Sequence, residues 1–95
     1  MTDRFKELTD MMVTTHEKKN HDYGDSFNKT LDKYGLTAAL VRMEDKLNRI
    51  ESLKDKEPKV VNESLKDTLL DLANYCLMTV LWIMKEEDKN KPKSI

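Results

Sequence analysis

Four oxygen-bearing side chains, Glu63, Asp67, Asp71 and Asn74, run at helical spacing through the most apolar stretch of the chain, Asn62–Met84. At 100° per residue they fall within an arc of about 80°. Asp67 and Asp71 stand one turn apart, so their carboxylates can share one space, where two like charges repel unless a cation lies between them. Oxygen ligands in that number suit Mg²⁺ or Mn²⁺, which take one or two protein carboxylates together with water and phosphate oxygens. Glu63 and Asp67 also have a plainer explanation, since negative charge is favourable near a helix N-terminus. Ser64 and Asp67 form a capping-box-like pair at the expected start of that helix. Asp71 and Asn74 lie deeper among leucines, where a carboxylate carries a desolvation cost. Asp67, Asp71 and Asn74 are therefore the candidate catalytic residues, and Glu63, Asp67 and Asp71 the candidate metal ligands.

A second charged group, Arg42, Asp45, Lys46 and Arg49, borders an apolar helix face. If this helix packs antiparallel on the Asn62–Met84 helix, Asp45 can join the carboxylates as a fourth metal ligand. Arg42, Lys46 and Arg49 can then hold phosphate oxygens, the arginines bidentately and the lysine as a point charge. The bland alternative is a solvated ladder of salt bridges. Glu44 lies about 100° from Asp45, and either acid can turn inward. A third group, Lys18, His21, Asp22 and Tyr23, mixes basic, acidic and aromatic side chains as a pocket for a base or sugar would, and Lys18, His21 and Tyr23 are its candidate substrate contacts.

These groups need helices to position them. Phe5, Leu8 and Met12 recur at three- and four-residue steps and predict a first helix over Thr2–Asn20. The segment His21–Gly35 holds both glycines of the chain and reads as an irregular connection with a short helix around Ser26–Lys33. Leu36, Ala39, Leu40, Met43, Leu47 and Ile50 share one face of a second long helix, Leu36–Leu53. A charged connection, Lys54–Lys59, contains Pro58, which disfavours helix at the residue before it. The third long helix then starts near Asn62–Ser64 and runs to about Glu87. Its apolar residues, among them Leu65, Leu69, Leu72, Cys76, Val80 and Ile83, cover more than half its circumference. Such a helix is either central in a bundle or covered by a second subunit. Cys76 and the methionines Met11, Met12, Met43, Met78 and Met84 read as core, and Trp82 as core or subunit interface. The expected organisation is one helical domain, 1–88, followed by a charged, frayed tail, 89–95.

Composition narrows the classes. The 95 residues, 37% charged and 38% hydrophobic with two Gly and two Pro, are too few for a second core and too poor in turn residues for an all-β fold. The fold class is all-α, a small bundle of three to four helices. A formal net charge of −1 lacks the basic surplus of a protein that lives on nucleic-acid phosphates, so direct DNA binding is not expected. The single cysteine excludes an internal disulfide and a Cys-rich zinc site and fits a reducing cytoplasm. The N-terminal residues carry no signal-peptide core. The apolar run Leu69–Met84 is short for a membrane span and contains Asp71 and Asn74, so none is expected. P-loop, nucleophile-elbow and HExxH signatures are absent.

The ordered motifs D-Y-G-D-S-F (Asp22–Phe27), Y-G (Tyr34-Gly35), R-M-E-D-K-L-N-R (Arg42–Arg49) and E-S-L-K-D-T-L-L-D-L-A-N-Y (Glu63–Tyr75) resemble the nucleotide modification associated domain, type one, a family common in phages. The resemblance spans about Lys18 to Trp82. That family in turn resembles the MazG-like all-α NTP pyrophosphatases, which bind Mg²⁺ through E-x-x-E and E-x-x-D pairs and hydrolyse nucleoside triphosphates to monophosphate and pyrophosphate. The resemblance implies a helical bundle assembled as a homodimer or homotetramer, a nucleotide ligand, a Mg²⁺ or Mn²⁺ cofactor, and work in the cytoplasm of a bacterial host. The chain departs from the MazG-like pattern: Glu44-Asp45 stands where an E-x-x-E pair belongs, and the next helix offers Asp67-x-x-x-Asp71 with Glu63 four residues before it.

Three functions follow as expectations. The first is a metal-dependent enzyme that hydrolyses a nucleotide, a deoxynucleotide first, in phage nucleotide modification or pool control. The second is a nucleotide-binding module without catalysis. The third is a helical protein-interaction or inhibitor protein that uses the wide apolar surface of the last helix.

Overall fold

In the computed structural model the chain forms four helices: α1 (Thr2–Tyr23), α2 (Ser26–Tyr34), α3 (Leu36–Leu53) and α4 (Pro58–Asn90). The backbone is described for residues 2–23, 25–56 and 58–90, and side chains for 3–19, 25–56 and 62–90. No strand occurs among the described residues, so the all-α expectation holds.

Local chemistry explains most boundaries. α3 runs over the residues its periodicity predicts. It starts immediately after Gly35, whose φ of 72° and ψ of −162° lie where only glycine sits without strain. The Gly35 amide donates to the Leu31 carbonyl at 2.7 Å and closes α2, so one residue makes the whole corner between α2 and α3. Asp25 takes the left-handed conformation before α2 (φ 63°), a region that Asp tolerates better than most residues. Its carboxylate accepts a hydrogen bond from the Asn28 amide at 2.6 Å.

Three boundaries differ from expectation. α1 continues to Tyr23, because nothing between Lys18 and Tyr23 breaks a helix before Gly24. α4 begins at Pro58 rather than near Asn62–Ser64. Proline at a first helical position loses no hydrogen bond and arrives with a helical φ; it opens this helix rather than separating two. Ser64 is consequently interior, and its carbonyl accepts the Thr68 hydroxyl at 2.7 Å. The capping explanation for Glu63 and Asp67 therefore falls away. α4 also outruns its expected end, reaching Asn90. Residues 91–95 of the expected tail lie outside the described part.

α3 and α4 form an antiparallel hairpin. Lys46 reaches Asp71 while Arg49, one turn further along α3, reaches Thr68, nearly one turn earlier on α4. Close approach is made possible by small buried residues: Ala39 on α3, and Thr68 and Thr79 on α4. The two threonine hydroxyls donate to the carbonyls of Ser64 and Tyr75 within their own helix, so burying them leaves no polar group unmet. α2 folds back over one side of the hairpin. There Leu31 is fully buried, and the Trp82 indole donates to the Asp32 carboxylate at 2.9 Å. α1 lies along the same side of α4.

The molecule measures 60 × 31 × 25 Å, with a radius of gyration of 16.1 Å. A compact domain of this length would have about 12 Å. The 33 residues of α4 set the long axis, roughly 50 Å. Much of the expected core is uncovered. Leu65 and Leu72 of α4 are half-buried, but Leu69, Cys76, Val80 and Ile83 are exposed, as are Leu36, Leu40 and Leu47 of α3. Cys76 is thus an exposed thiol rather than a core residue. Among the methionines, Met12, Met43 and Met78 are half-buried, while Met11 and Met84 are exposed. One 18-residue stretch within Asn62–Asn90 is long and apolar enough to cross a membrane by length and composition alone. Only 11% of it is buried, so what covers it is a question for the surface of the protein.

Candidate functional site

Asp71 is the centre of the charged side of α4. Its Oδ1 accepts from the Lys19 ammonium of α1 and its Oδ2 from the Lys46 ammonium of α3, each at 3.3 Å. The carboxylate is 35% exposed, so these pairs position the side chains more than they stabilise the fold. Lys46 also lies 5.9 Å from the centre of the Tyr75 ring, and Tyr75 packs against Phe27 of α2 with ring centres 5.2 Å apart. Arg49 donates from Nε to the Thr68 hydroxyl at 3.3 Å, one turn along. Two lysines surround one carboxylate and an arginine stands beside them, so the cluster carries a net positive charge.

Next to this cluster a cleft of about 230 Å³ opens between α1, α2 and α4. His16 and Lys19 form one wall, Asp25, Ser26 and Phe27 another, and Asn74, Tyr75 and Met78 the floor. Asn74 is half-buried, lines this cleft and the two grooves beside it, and makes no hydrogen bond to another described residue. Its amide is therefore free to donate and accept toward a bound molecule. The cleft combines an aromatic pair, a free amide, the Lys19 ammonium and the Asp25 carboxylate, with the Lys46 ammonium beside it, a mixture suited to a flat, polar ring that carries an anionic substituent.

The expected site residues separate into those that meet here and those that do not. Lys46 and Arg49 of α3 meet Asp71 and Thr68 of α4, and Asn74 lies beside Asp71 on the side turned to α1. Asp67 is one turn from Asp71 but exposed, and with Glu63 it edges a groove that also contains Leu8 and Met11. Asp45 is exposed on α3; in its place Lys46 is the residue that reaches Asp71. Arg42 lines a separate shallow groove with Thr30 and Tyr34. Lys18 is exposed, whereas Lys19, its neighbour, faces the site. The side chains of His21 and Tyr23 lie outside the described part. Among the described residues no three His, Cys, Asp or Glu side chains are grouped so that they could hold a metal ion. Both oxygens of Asp71 are turned to ammonium groups, so the described residues around it do not offer the carboxylate set expected for Mg²⁺ or Mn²⁺.

Lys19, His16, Phe27 and Tyr75 were not singled out by residue type, yet a signal existed for two of them. Leu8, Met12, His16 and Lys19 continue one three-to-four stripe of α1, and that stripe turns Lys19 inward and Lys18 out. The aromatic pair could not be found this way, because it joins α2 to α4 across 48 residues.

Neither a curated protein nor a solved structure matches the chain. A family model described as nucleotide modification associated domain 1 matches residues 19–83, which begin at Lys19 and take in α2, α3 and α4 as far as Ile83. That is more than half of the chain and holds the whole Asp71 cluster, and the protein accordingly belongs to the nucleotide modification associated domain 1 family.

Proposed function

We propose that the protein binds a nucleotide in the cleft beside Asp71, with the phosphates against Lys19, Lys46 and Arg49 and the base against Phe27 and Tyr75. Asn74 would read the edge of the base. The observation that carries this reading is the pairing of Asp71 with two lysines. An acid that holds two ammonium groups at one point leaves the surplus positive charge ready for a phosphate, which can take over either lysine. The family description is consistent with a role near nucleotide modification.

The finer reading is metal-dependent pyrophosphate release from a nucleoside triphosphate in phage nucleotide metabolism. It rests on the resemblance to MazG-like enzymes. It asks for carboxylates gathered around a cation, whereas here the central carboxylate faces lysines, so no step is routed through a metal. Binding without turnover is the reading the geometry favours.

Titrating the protein with deoxynucleoside mono-, di- and triphosphates, with and without Mg²⁺, tests this. Melting temperature and phosphate or pyrophosphate release are followed together. The expected outcome is stabilisation without added metal and without release. Lys46→Ala should weaken binding about tenfold or more, as the loss of a charged hydrogen bond of ~1.5–3 kcal/mol implies, while Lys29→Ala on the exposed face of α2 should not. No stabilisation by any nucleotide would remove the binding reading, and Mg²⁺-dependent pyrophosphate release would put the hydrolase in its place.

A further inference from the structure

α2 starts from a residue that does not cap it. Asp25 stands at the N-cap position, where an aspartate ordinarily accepts a hydrogen bond from the first turn of the helix. Here its carboxylate makes no such bond. Nor does it form an ion pair with a described residue. Its Oδ1 accepts from the Asn28 side-chain amide at 2.6 Å, and Oδ2 has no described partner. The backbone at Asp25 is left-handed, with φ 63° and ψ 31°, and among the described residues it is the only one besides glycine with a positive φ. Asp tolerates this conformation, but glycine adopts it at no steric cost. The corner therefore keeps a carboxylate that neither caps the helix nor eases the turn, and backbone held in this way is a feature of ligand sites.

Asp25 is half-buried and is the one acid that lines the cleft beside Asp71. It shares a wall with Phe27, two residues on, and faces the wall of His16 and Lys19. A carboxylate repels phosphate oxygens, so the phosphates belong with the lysines and Asp25 with the part of the ligand that rests on Phe27 and Tyr75. An ionised carboxylate only accepts hydrogen bonds. Cytosine, adenine and guanine each offer an exocyclic amino group to such an acceptor, whereas thymine and uracil carry carbonyl oxygens instead. A carbonyl set against Asp25 would leave two acceptors facing each other, and the half-buried carboxylate unmet.

We propose that Asp25 selects the base: the cleft takes a nucleotide whose base carries an exocyclic amino group and rejects thymine and uracil. This rests on the nucleotide reading above and adds the class of base to it. Asn28 is a positioning residue, which fixes one carboxylate oxygen and thereby aims the other.

Calorimetric titration of the full chain with two pairs of deoxynucleoside triphosphates tests the proposal. Cytosine is compared with uracil and adenine with hypoxanthine, the members of each pair differing by an amino group against a carbonyl. The amino member should bind about tenfold tighter or more, as a hydrogen bond to a charged group implies. Asp25→Asn keeps the size of the side chain and its tolerance of left-handed backbone, and its amide can donate to a carbonyl. It should erase or reverse the preference. Asp25→Gly, which relieves the backbone, should make the two members of each pair equal, and Asn28→Ala should narrow their ratio. Equal binding within both pairs by the unaltered chain overturns the proposal and leaves nucleotide binding standing. A preference that survives Asp25→Asn overturns it too, and assigns the choice to another residue. So does an equal fall in affinity for every base in Asp25→Asn, which would place the carboxylate on the sugar. Binding of no nucleotide at all removes the reading on which the proposal rests.

Discussion

α4 has two faces, and they have been solved differently by the same chain. Along one, Asp71, Asn74 and Tyr75 meet α1, α2 and α3, and a charge within an apolar helix is accommodated by two lysines brought from elsewhere in the sequence. Along the other, Leu69, Cys76, Val80 and Ile83 are left exposed. Both faces looked apolar in the one-dimensional pattern. The difference teaches that apolar periodicity marks surfaces to be covered but does not say whether the cover is the same molecule. Polar residues on such a helix locate the side on which the chain folds back over itself.

The sharpest way to break this comparison is to truncate one side chain on each side of the hairpin. Leu31 is fully buried under α2, and Leu31→Ala should cost about 2–5 kcal/mol, read as a fall in melting temperature. Leu40→Ala on the open face should change the stability of the dilute, monomeric chain by no more than about 0.5 kcal/mol. Equal effects would show that the open face is covered within the chain after all. A smaller effect is expected at the corner that holds α2 over the charged side. Gly35→Ala meets no atom but must adopt a φ of 72°, and should destabilise by about 1–3 kcal/mol. A small effect on stability, and the most telling one, belongs to Asp71→Asn. Ion pairs this exposed contribute about 0–1 kcal/mol, so the fold should persist. Removing the carboxylate that pairs with both Lys19 and Lys46 should then strengthen binding of an anionic nucleotide, measured by titration calorimetry. Weakened binding would mean that Asp71 touches the ligand itself, as the hydrolase reading requires.

How far the site was legible depended on whether its members share a helix. Asp71 and Asn74 could be singled out because both break the apolar pattern of one segment, and Lys46 and Arg49 because they border the apolar face of another. The choice between Asp45 and Lys46 as the residue facing Asp71 was not legible, because neighbours on a helix differ by about 100° and a small rotation of the packed helices decides between them. Lys18 and Lys19 pose the same problem, and there the stripe through Leu8, Met12 and His16 would have resolved it. The carboxylate cluster failed for a related reason. Glu63 and Asp67 share an arc with Asp71, but an arc of about 80° is wide enough for one member to face α3 while the others face solvent.

By itself the sequence determined the helices. Turn residues are scarce, apolar residues recur every three to four positions, and Gly24, Gly35 and Pro58 stand between the repeating segments. It also determined that the last helix would be apolar over more than half its circumference, and left open whether its own bundle or a second subunit covers it. Only the tertiary structure decided which side of that helix is covered, that lysines rather than acids surround Asp71, and that the aromatic pair Phe27 and Tyr75 borders the cleft. The physical reason is the range of the interactions. Helix formation and its interruption are governed by residues within a turn or two of one another. The partners of Asp71 are 52 and 25 residues away, and their approach is set by how two buried threonines and one buried alanine let α3 settle against α4.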